Sequence, residues 1–241
     1  MCGRFMLYSN SEAIAAHFGA RLAPELKALL VPRYNIGPGS PVLGIRQGSE
    51  RGRGRDGAPR PEATHFLWGL IPAWVKAGPE NRPDWRLNLF NARLETAAEK
   101  PAFRGAWRHR RCLLPADGFY EWQRREDGSK QPWCMQARDG DLLAFAGLWD
   151  AWHGPDGSVL QSCTILTTGA TGEFKRIHGR MPVILAREDY APWLAAEPLT
   201  PDRVRPCPPE TLRWFPVGRG VNNPHAEGPQ LIRPLAGETE D

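Results

Sequence analysis

Cys2 carries the side chain best suited to covalent chemistry in this sequence. Initiator methionine is commonly removed when the next residue is small, and Cys2 would then be the N-terminal residue. Its amine and thiol would have ordinary pKa values of about 8 and about 8.5, so some free amine exists near neutral pH. The amine can condense with an aldehyde to a Schiff base, and the thiol can then close a five-membered thiazolidine ring. Because ring closure is intramolecular, proximity favours it strongly.

The cysteines as a set show neither a metal-binding nor a disulfide pattern. Their count of five is odd, their spacings are wide, and the sequence has no CxxC pair and no Cys/His cluster with zinc spacing. We therefore expect free thiols in a reducing compartment, with no metal and no other cofactor. All except Cys2 are expected to be buried, small apolar residues. The other four are Cys112, Cys134, Cys163 and Cys207.

The composition is that of a folded protein with a mildly basic charge. The 241 residues, 41% of them hydrophobic, suffice for a full core, and 31 basic against 27 acidic residues give a net charge of +4. Arginine outnumbers lysine and ten tryptophans are present, a combination that suits single-stranded nucleic acid, although most tryptophans are expected in the core. The sequence has no apolar run of membrane-spanning length, and its N-terminus is too polar for a signal peptide. We expect a cytoplasmic monomer.

Apolar spacing and turn residues predict one α+β domain, built on an antiparallel, barrel-like sheet with flanking helices. Three Asp-Gly pairs, at 127–128, 139–140 and 156–157, separate apolar runs and indicate a strand meander. Residues 47–61, QGSERGRGRDGAPRP, are predicted to form a flexible loop, and a Pro/Gly-rich tail follows residue 230 or so. The other predicted elements are strands at 3–7, within 33–44, at 65–68 and in TLRWFPV, and helices at 11–19, 91–100, 103–108, 172–177 and 187–194.

Seven motifs occur in order along the chain: MCGRF, RYNIGPGSPV, WGLIPAW, NARLET, RRCLLPADGFYEW, LWD and IHGRMPVIL; the match to which they belong covers residues 2 to about 230. Together they resemble the SRAP family, whose name abbreviates SOS response-associated peptidase. The resemblance implies a single SRAP-like domain over 1–241. It also implies a function in the DNA damage response: sensing abasic sites in single-stranded DNA and sealing them as a covalent DNA–protein crosslink.

The resemblance places the family's nucleophile at Cys2 and its other active-site residues at Asn91, Glu121 and His178. Glu121 can shuttle protons as the Schiff base forms, and its aromatic neighbours in GFYEW indicate a partly desolvated site with a raised pKa. His178 can donate to a sugar hydroxyl or a phosphate, or act as an acid. Asn91 can orient the Cys2 amine or the sugar, and it also reads as a helix cap before residues 92–98.

The family pattern also implies a DNA-binding surface that tolerates any base sequence and weakens with salt. Arginines would contact the phosphates beside the lesion, and the WGL segment would face the exposed bases. At positions 39 and 40 the chain has Gly-Ser where the family pattern suggests a Thr-Gln-like pair. The residues expected at this surface are Gly3, Arg4, Asn35, Pro38, Trp68, Gly69, Leu70, Arg93, Thr167 and Arg180.

Three alternatives use the same residues. Cys2, His178 and Asn91 could form the Cys-His-Asn arrangement of a cysteine peptidase, acting on the protein's own N-terminus. A non-catalytic reader of single-stranded or modified DNA would use the arginine and tryptophan surface without Cys2 or Glu121. The Schiff base could also lead to β-elimination, which would make the protein a lyase.

Overall fold

The computed structural model describes residues 2–48, 59–83, 89–195, 198–204 and 206–235. β-Strands dominate this part of the chain. The strands are β1 (Phe5–Leu7), β2 (Arg33–Ile36), β3 (Pro41–Arg46), β4 (Glu62–Trp68), β5 (Asn91–Arg93), β6 (Arg111–Ala116), β7 (Gly118–Arg124), β8 (Lys130–Ala137), β9 (Leu143–His153), β10 (Val159–Gly169), β11 (Arg180–Pro182) and β12 (Leu212–Pro216).

Short helices flank the strands. The α-helices are α1 (Ser11–Phe18), α2 (Pro24–Leu29), α3 (Leu94–Ala97), α4 (Arg104–His109) and α5 (Tyr190–Leu194), and 3-10 turns include Gly172–Arg176 and Pro201–Arg203. In α1, Ile14 and Phe18 are buried on one face, and Gly19 ends the helix in the left-handed conformation at φ 58°. The capping side chain is Asn10, whose Oδ1 accepts from Ala13 N. None of the described helices is both long enough and apolar enough to cross a membrane.

Five strands close into a barrel in the order β10-β4-β3-β6-β9, because β9 pairs back onto β10. The β4–β10 seam is parallel, whereas the other four pairings are antiparallel. Past the end of β4, the same edge of β10 pairs in parallel with β5. Strand β11 pairs antiparallel with the C-terminal end of β10. The C-terminal end of β10 therefore lies between β5 and β11. Strand β5 contains the predicted site residues Asn91 and Arg93, and β11 begins at the predicted site residue Arg180.

A second sheet, in the order β12-β8-β7-β1-β2, packs against the barrel. Alternation along its strands gives it two buried faces. Phe5 and Phe119 point toward the barrel, where both contact the Phe145 ring edge-on at centroid distances of 5.9 and 5.8 Å. Met6 and Tyr120 lie on the opposite face, in a separate apolar cluster. The segment after β12 covers that face.

The prediction of an α+β fold on a barrel-like sheet is confirmed. All three Asp-Gly turns form, with Gly128, Gly140 and Gly157 at φ values of 80°, 79° and 81°. Asn91 does not cap a helix, because residues 91–93 form β5 and α3 begins only at Leu94. Of the predicted loop at 47–61, residues 49–58 lie outside the described residues, as do 236–241 of the predicted tail.

Candidate active site

Cys2 lies immediately before β1 and is fully buried. Antiparallel pairing of β1 with β7 fixes this segment, and Tyr120 N donates to Arg4 O at 3.0 Å. The Asn91 side chain reaches the same segment, where its Nδ2 donates to Cys2 O at 2.7 Å. Cys2 is thus held through its own backbone carbonyl.

Two neighbouring contacts of β5 position Asn91. In the parallel pairing with β10, Asn91 lies opposite Ile165. The preceding carbonyl, Phe90 O, accepts from Ile165 N at 3.1 Å and from the Trp68 indole N–H at 2.9 Å. Asn91 Oδ1 is buried and has no hydrogen-bond partner among the described residues. It is available to accept from an amine or a hydroxyl that enters the site.

Glu121 lies on β7 with its side chain only 2% exposed. Burial raises the pKa of the Glu121 carboxyl, and the positive charges of the amino terminus and of His178 partly oppose this shift. The burial expected from the GFYEW pattern is present. A carboxyl with a raised pKa can donate a proton under conditions in which an exposed glutamate is ionised.

The Cys2 thiol is in a similar environment. Burial raises its pKa far above the ordinary value, and the negative charge of Glu121 raises it further. The positive charge of the amino terminus and a hydrogen bond from the Arg4 backbone act in the opposite direction. The resting thiol is therefore protonated, and it needs a base to become nucleophilic.

His178 follows the 3-10 turn Gly172–Arg176 and precedes β11. Its Nδ1 lies 3.0 Å from Arg180 N and 2.9 Å from Arg180 O. The backbone of Arg180 therefore fixes the orientation of the imidazole ring.

The structure brings together the four residues expected to be catalytic. Asn91 contacts Cys2 directly, the charge of Glu121 acts on the Cys2 thiol, and the charge of His178 acts on Glu121. These residues come from the segment before β1, from β5, from β7 and from the segment before β11. The arrangement brings a thiol, a carboxyl, an amide and an imidazole together; Cys2 and Glu121 are buried, and Asn91 and His178 are half-buried.

Arg4 and Asn35 form a fixed pair beside Cys2. Arg4 Nη1 donates to Asn35 Oδ1 at 2.7 Å, and Asn35 Nδ2 donates to the carbonyls of Asn223 and Ala226 at 2.9 Å each. Asn35 is buried, so it orients Arg4 and does not itself line an open pocket. Its role in the structure is to join β2 to the C-terminal segment.

Residues 37–40 form a turn that presents Pro38 to solvent. Ser40 N donates to Gly37 O at 3.2 Å, and Gly39 has a φ of 83°, the pattern of a Pro-Gly type II turn. Gly39 N also donates to Trp68 O at 2.7 Å. The Gly-Ser pair that departs from the family pattern is therefore built into this turn.

Arg180 is engaged with protein groups. Its guanidinium forms a bidentate ion pair with Glu95, at 2.8 and 2.9 Å, and also donates to Thr167 O and Thr167 Oγ1. Thr167 is fully buried, so its side chain supports Arg180. Arg93 is exposed at the end of β5. Glu95 was not among the predicted site residues, although it lies within the NARLET motif.

The prediction that the side chains of Trp68 and Leu70 face exposed bases is wrong. Both are buried, and the Trp68 ring packs edge-on against Phe5 at 5.1 Å. The exposed ring of WGLIPAW is Trp74, which is 62% exposed. Gly69, at φ 138°, and Gly3 are half-buried.

Trp122, which follows Glu121 on β7, was also not among the predicted site residues. It is half-buried, and its indole N–H donates to Asn222 Oδ1 at 2.7 Å. Its place in GFYEW could have indicated it, since alternation puts it on the face opposite Glu121.

The cysteines are free thiols, as predicted. Cys112, Cys134 and Cys163 are buried, but Cys207 is only partly buried. Cys2, expected to differ from them by its position, is as buried as these three. Within the described ranges, no group of three or more His, Cys, Asp or Glu side chains could hold a metal ion.

The family model of the SOS response associated peptidase (SRAP) matches residues 1–224. The chain therefore belongs to the SRAP family. It is 36% identical over 238 residues to the abasic site processing protein YoqW of Bacillus subtilis (strain 168), covering 96% of this chain and 99% of the relative. It is 29% identical over 245 residues to YedK of Escherichia coli (strain K12), with 98% and 100% covered. Identity to HMCES of Gallus gallus is 32% over 229 residues, with 85% and 66% covered. Both are also named abasic site processing proteins.

Solved structures share the fold. A protein from Bacteroides thetaiotaomicron superposes with a TM-score of 0.81 at 23% identity, covering 97% of this chain and all of that one. A protein from Bordetella bronchiseptica superposes with a TM-score of 0.73 at 29% identity, covering 90% of this chain and all of that one.

Proposed function

We propose that this protein processes abasic sites in single-stranded DNA in the cytoplasm, and that it forms a covalent crosslink to them through Cys2 after Met1 is removed. The observation that carries the proposal is the buried cluster at Cys2. Asn91 holds the Cys2 carbonyl at 2.7 Å, and Glu121, with its raised pKa, acts on the Cys2 thiol. The relatives' names, abasic site processing protein, support the substrate class.

The Cys2 amine reacts first, because burial keeps the thiol protonated. An abasic site in its ring-opened form carries an aldehyde at C1′. The amine nitrogen adds to this carbon, and the Glu121 carboxyl donates its proton to the departing hydroxyl, which leaves as water. The products are an iminium between Cys2 and C1′ and a Glu121 carboxylate.

The thiol then closes the ring. Glu121, now ionised, takes the thiol proton, and Sγ adds to the iminium carbon to form the thiazolidine. The carboxyl is thereby regenerated, and the net loss is one water. Glu121 serves once as acid and once as base, which suits a group whose pKa is raised by burial but lowered by the charge of His178.

We propose that the protein binds DNA mainly through contacts to the phosphate backbone of the DNA. We propose that Arg4 and Arg93 contact phosphates beside the lesion, and that Arg180 does so by exchanging Glu95 for a phosphate. Pro38 and Gly69 lie at exposed or half-exposed positions near them. Backbone contacts carry no base identity, so binding tolerates any sequence and weakens with salt.

The geometry favours aldehyde capture over a peptidase. A Cys-His-Asn peptidase needs its asparagine to orient the histidine. Here the Asn91 amide donates to Cys2 O, and the Arg180 backbone contacts His178 Nδ1.

The test mixes purified protein with an oligonucleotide that carries one abasic site, followed by a denaturing gel and intact-mass spectrometry. The expected adduct has the mass of the protein without Met1 plus the DNA minus one water. Cys2→Ala keeps the amine, so it should give an adduct only when borohydride reduces the Schiff base. Strand cleavage on the same gel would reveal β-elimination. The absence of any wild-type adduct, with Met1 confirmed absent, would contradict the proposal and leave plain DNA binding as the alternative.

A further inference from the structure

A cavity of about 520 Å³ lies between α4 and the segment 198–203, with the C-terminal end of α3 at its edge. This volume falls within the range of sites that bind small molecules, about 300–1,000 Å³. None of the residues assigned to DNA or to Cys2 chemistry lines it. It is therefore distinct from the site described above.

The lining of the cavity has an apolar side and a basic side. Trp107 and Leu199 belong to the apolar side, and the Trp107 indole N–H donates to Leu199 O at 2.8 Å, which fixes the two walls relative to each other. The basic lining residues are Arg108 and His109, at the end of α4, and Arg203, in the 3-10 turn Pro201–Arg203. The described part of the lining contains no carboxylate.

The basic side chains are available to a ligand. Arg108, His109 and Arg203 are exposed at the cavity, and no ion pair within 4.0 Å joins either arginine to a carboxylate among the described residues. Two arginines that line one cavity suit a phosphate, because guanidinium groups bind phosphate oxygens bidentately. An apolar wall beside them suits the base of a nucleotide.

The cavity lies close to the proposed DNA path. Helix α3 begins after Arg93 and ends at Ala97, and its C-cap, Ala98, lines the cavity. Five residue steps at the helical rise, from Arg93 to Ala98, span about 8 Å. A strand whose phosphate contacts Arg93 could therefore continue along α3 into the cavity.

We propose that this cavity is a second phosphate-binding site that accepts one nucleotide unit, with its phosphate between Arg108 and Arg203 and its base against Leu199 and the edge of Trp107. The same chemistry is offered by the backbone of the bound strand and by a free nucleotide. If the bound phosphate belongs to a DNA strand, the inference rests on the proposed function. If it belongs to a free nucleotide, the inference does not.

The test compares wild type with the double variant Arg108→Ala/Arg203→Ala. Arg21→Ala serves as the matched control, since it also removes an exposed arginine, one that is paired with Glu62 at 3.5 Å. Arm one titrates adenosine monophosphate by calorimetry. Arm two measures affinity for undamaged single strands of increasing length at several salt concentrations. Crosslinking of a short abasic oligonucleotide is measured separately, and it should be unchanged in the double variant.

If the strand is the ligand, the double variant loses about tenfold in affinity for long strands only, and its salt slope falls by about 0.7 for one lost phosphate contact. If a free nucleotide is the ligand, the monophosphate binds wild type and not the double variant. Equal behaviour of the double variant and Arg21→Ala in both arms would overturn the inference, whatever the crosslinking assay shows. Thermal melting confirms folding, and Arg108→Gln/Arg203→Gln repeats the comparison should the alanine variant melt early.

Discussion

Substituting Asn91→Ala removes the hydrogen bond from Nδ2 to Cys2 O at 2.7 Å and, with it, the buried Oδ1 acceptor. A hydrogen bond of this kind contributes about 1 kcal/mol net, and stranding a buried acceptor costs about 1–3 kcal/mol. Cys2 is fully buried, so its carbonyl has little access to water as a replacement partner.

The loss of this hydrogen bond should affect both the rate of crosslinking and the thermal stability of the protein. If the bond is needed to hold Cys2 in the reactive position, the rate of crosslinking to an abasic oligonucleotide falls about 5- to 150-fold, which corresponds to 1–3 kcal/mol. Thermal unfolding shifts by about 2–4 °C for each 1 kcal/mol in a chain of this size. The predicted signature is a large loss of rate with a small loss of stability.

Asn10→Ala is the matched control. It also removes one asparagine hydrogen bond, from Ala13 N to Asn10 Oδ1 at 2.8 Å, and costs about 1 kcal/mol as the loss of a helix cap. Asn10 lies at the start of α1 and contacts none of the four site residues. Its rate of crosslinking should equal that of wild type. The reasoning is refuted if Asn91→Ala retains the wild-type rate, or if both variants lose rate equally.

Two further predictions concern charge. Burial raises the pKa of Glu121, so the folded protein keeps this proton where the unfolded chain releases it, and stability is lost as pH rises above the ordinary value of about 4.3. Glu121→Gln should therefore melt higher than wild type at pH 7 and equal to it near pH 3; a difference that is constant across pH would contradict this. Glu95→Gln removes the carboxylate that neutralises Arg180, so the salt slope of single-strand binding should steepen by about 0.7, and an unchanged slope in filter binding would show that Arg180 contacts no phosphate.

Local patterns predicted much of this fold. The three Asp-Gly turns formed because glycine accepts the positive φ that such turns need, and the burial of Glu121 followed from its aromatic neighbours. Asn91 failed as a helix cap because its parallel partner on β10 lies more than 70 residues later in the chain, beyond any local pattern. The long-range pairing with β10 therefore makes residues 91–93 a strand.

The candidate site was likewise predicted only in part from the sequence. The motifs identified Cys2 and its neighbours by type, but not which side chains are exposed. Trp68 reads as a surface aromatic, yet its N–H is needed at Phe90 O to position β5. Arg180 reads as a phosphate ligand, and only the folded chain reveals its ion pair with Glu95.

The burial of Cys2 has a consequence for the timing of synthesis. Cys2 leaves the ribosome first, Asn91 is 89 residues behind it, and His178 follows much later. At about 5–20 residues per second, roughly 10–35 s pass before His178 has been made. During that interval Cys2 is accessible to a methionine aminopeptidase, whereas in the folded protein it is enclosed. If Cys2 acts as we propose, Met1 has to be removed within that interval, because a chain that folded first would enclose Cys2 with its nitrogen still bonded to Met1.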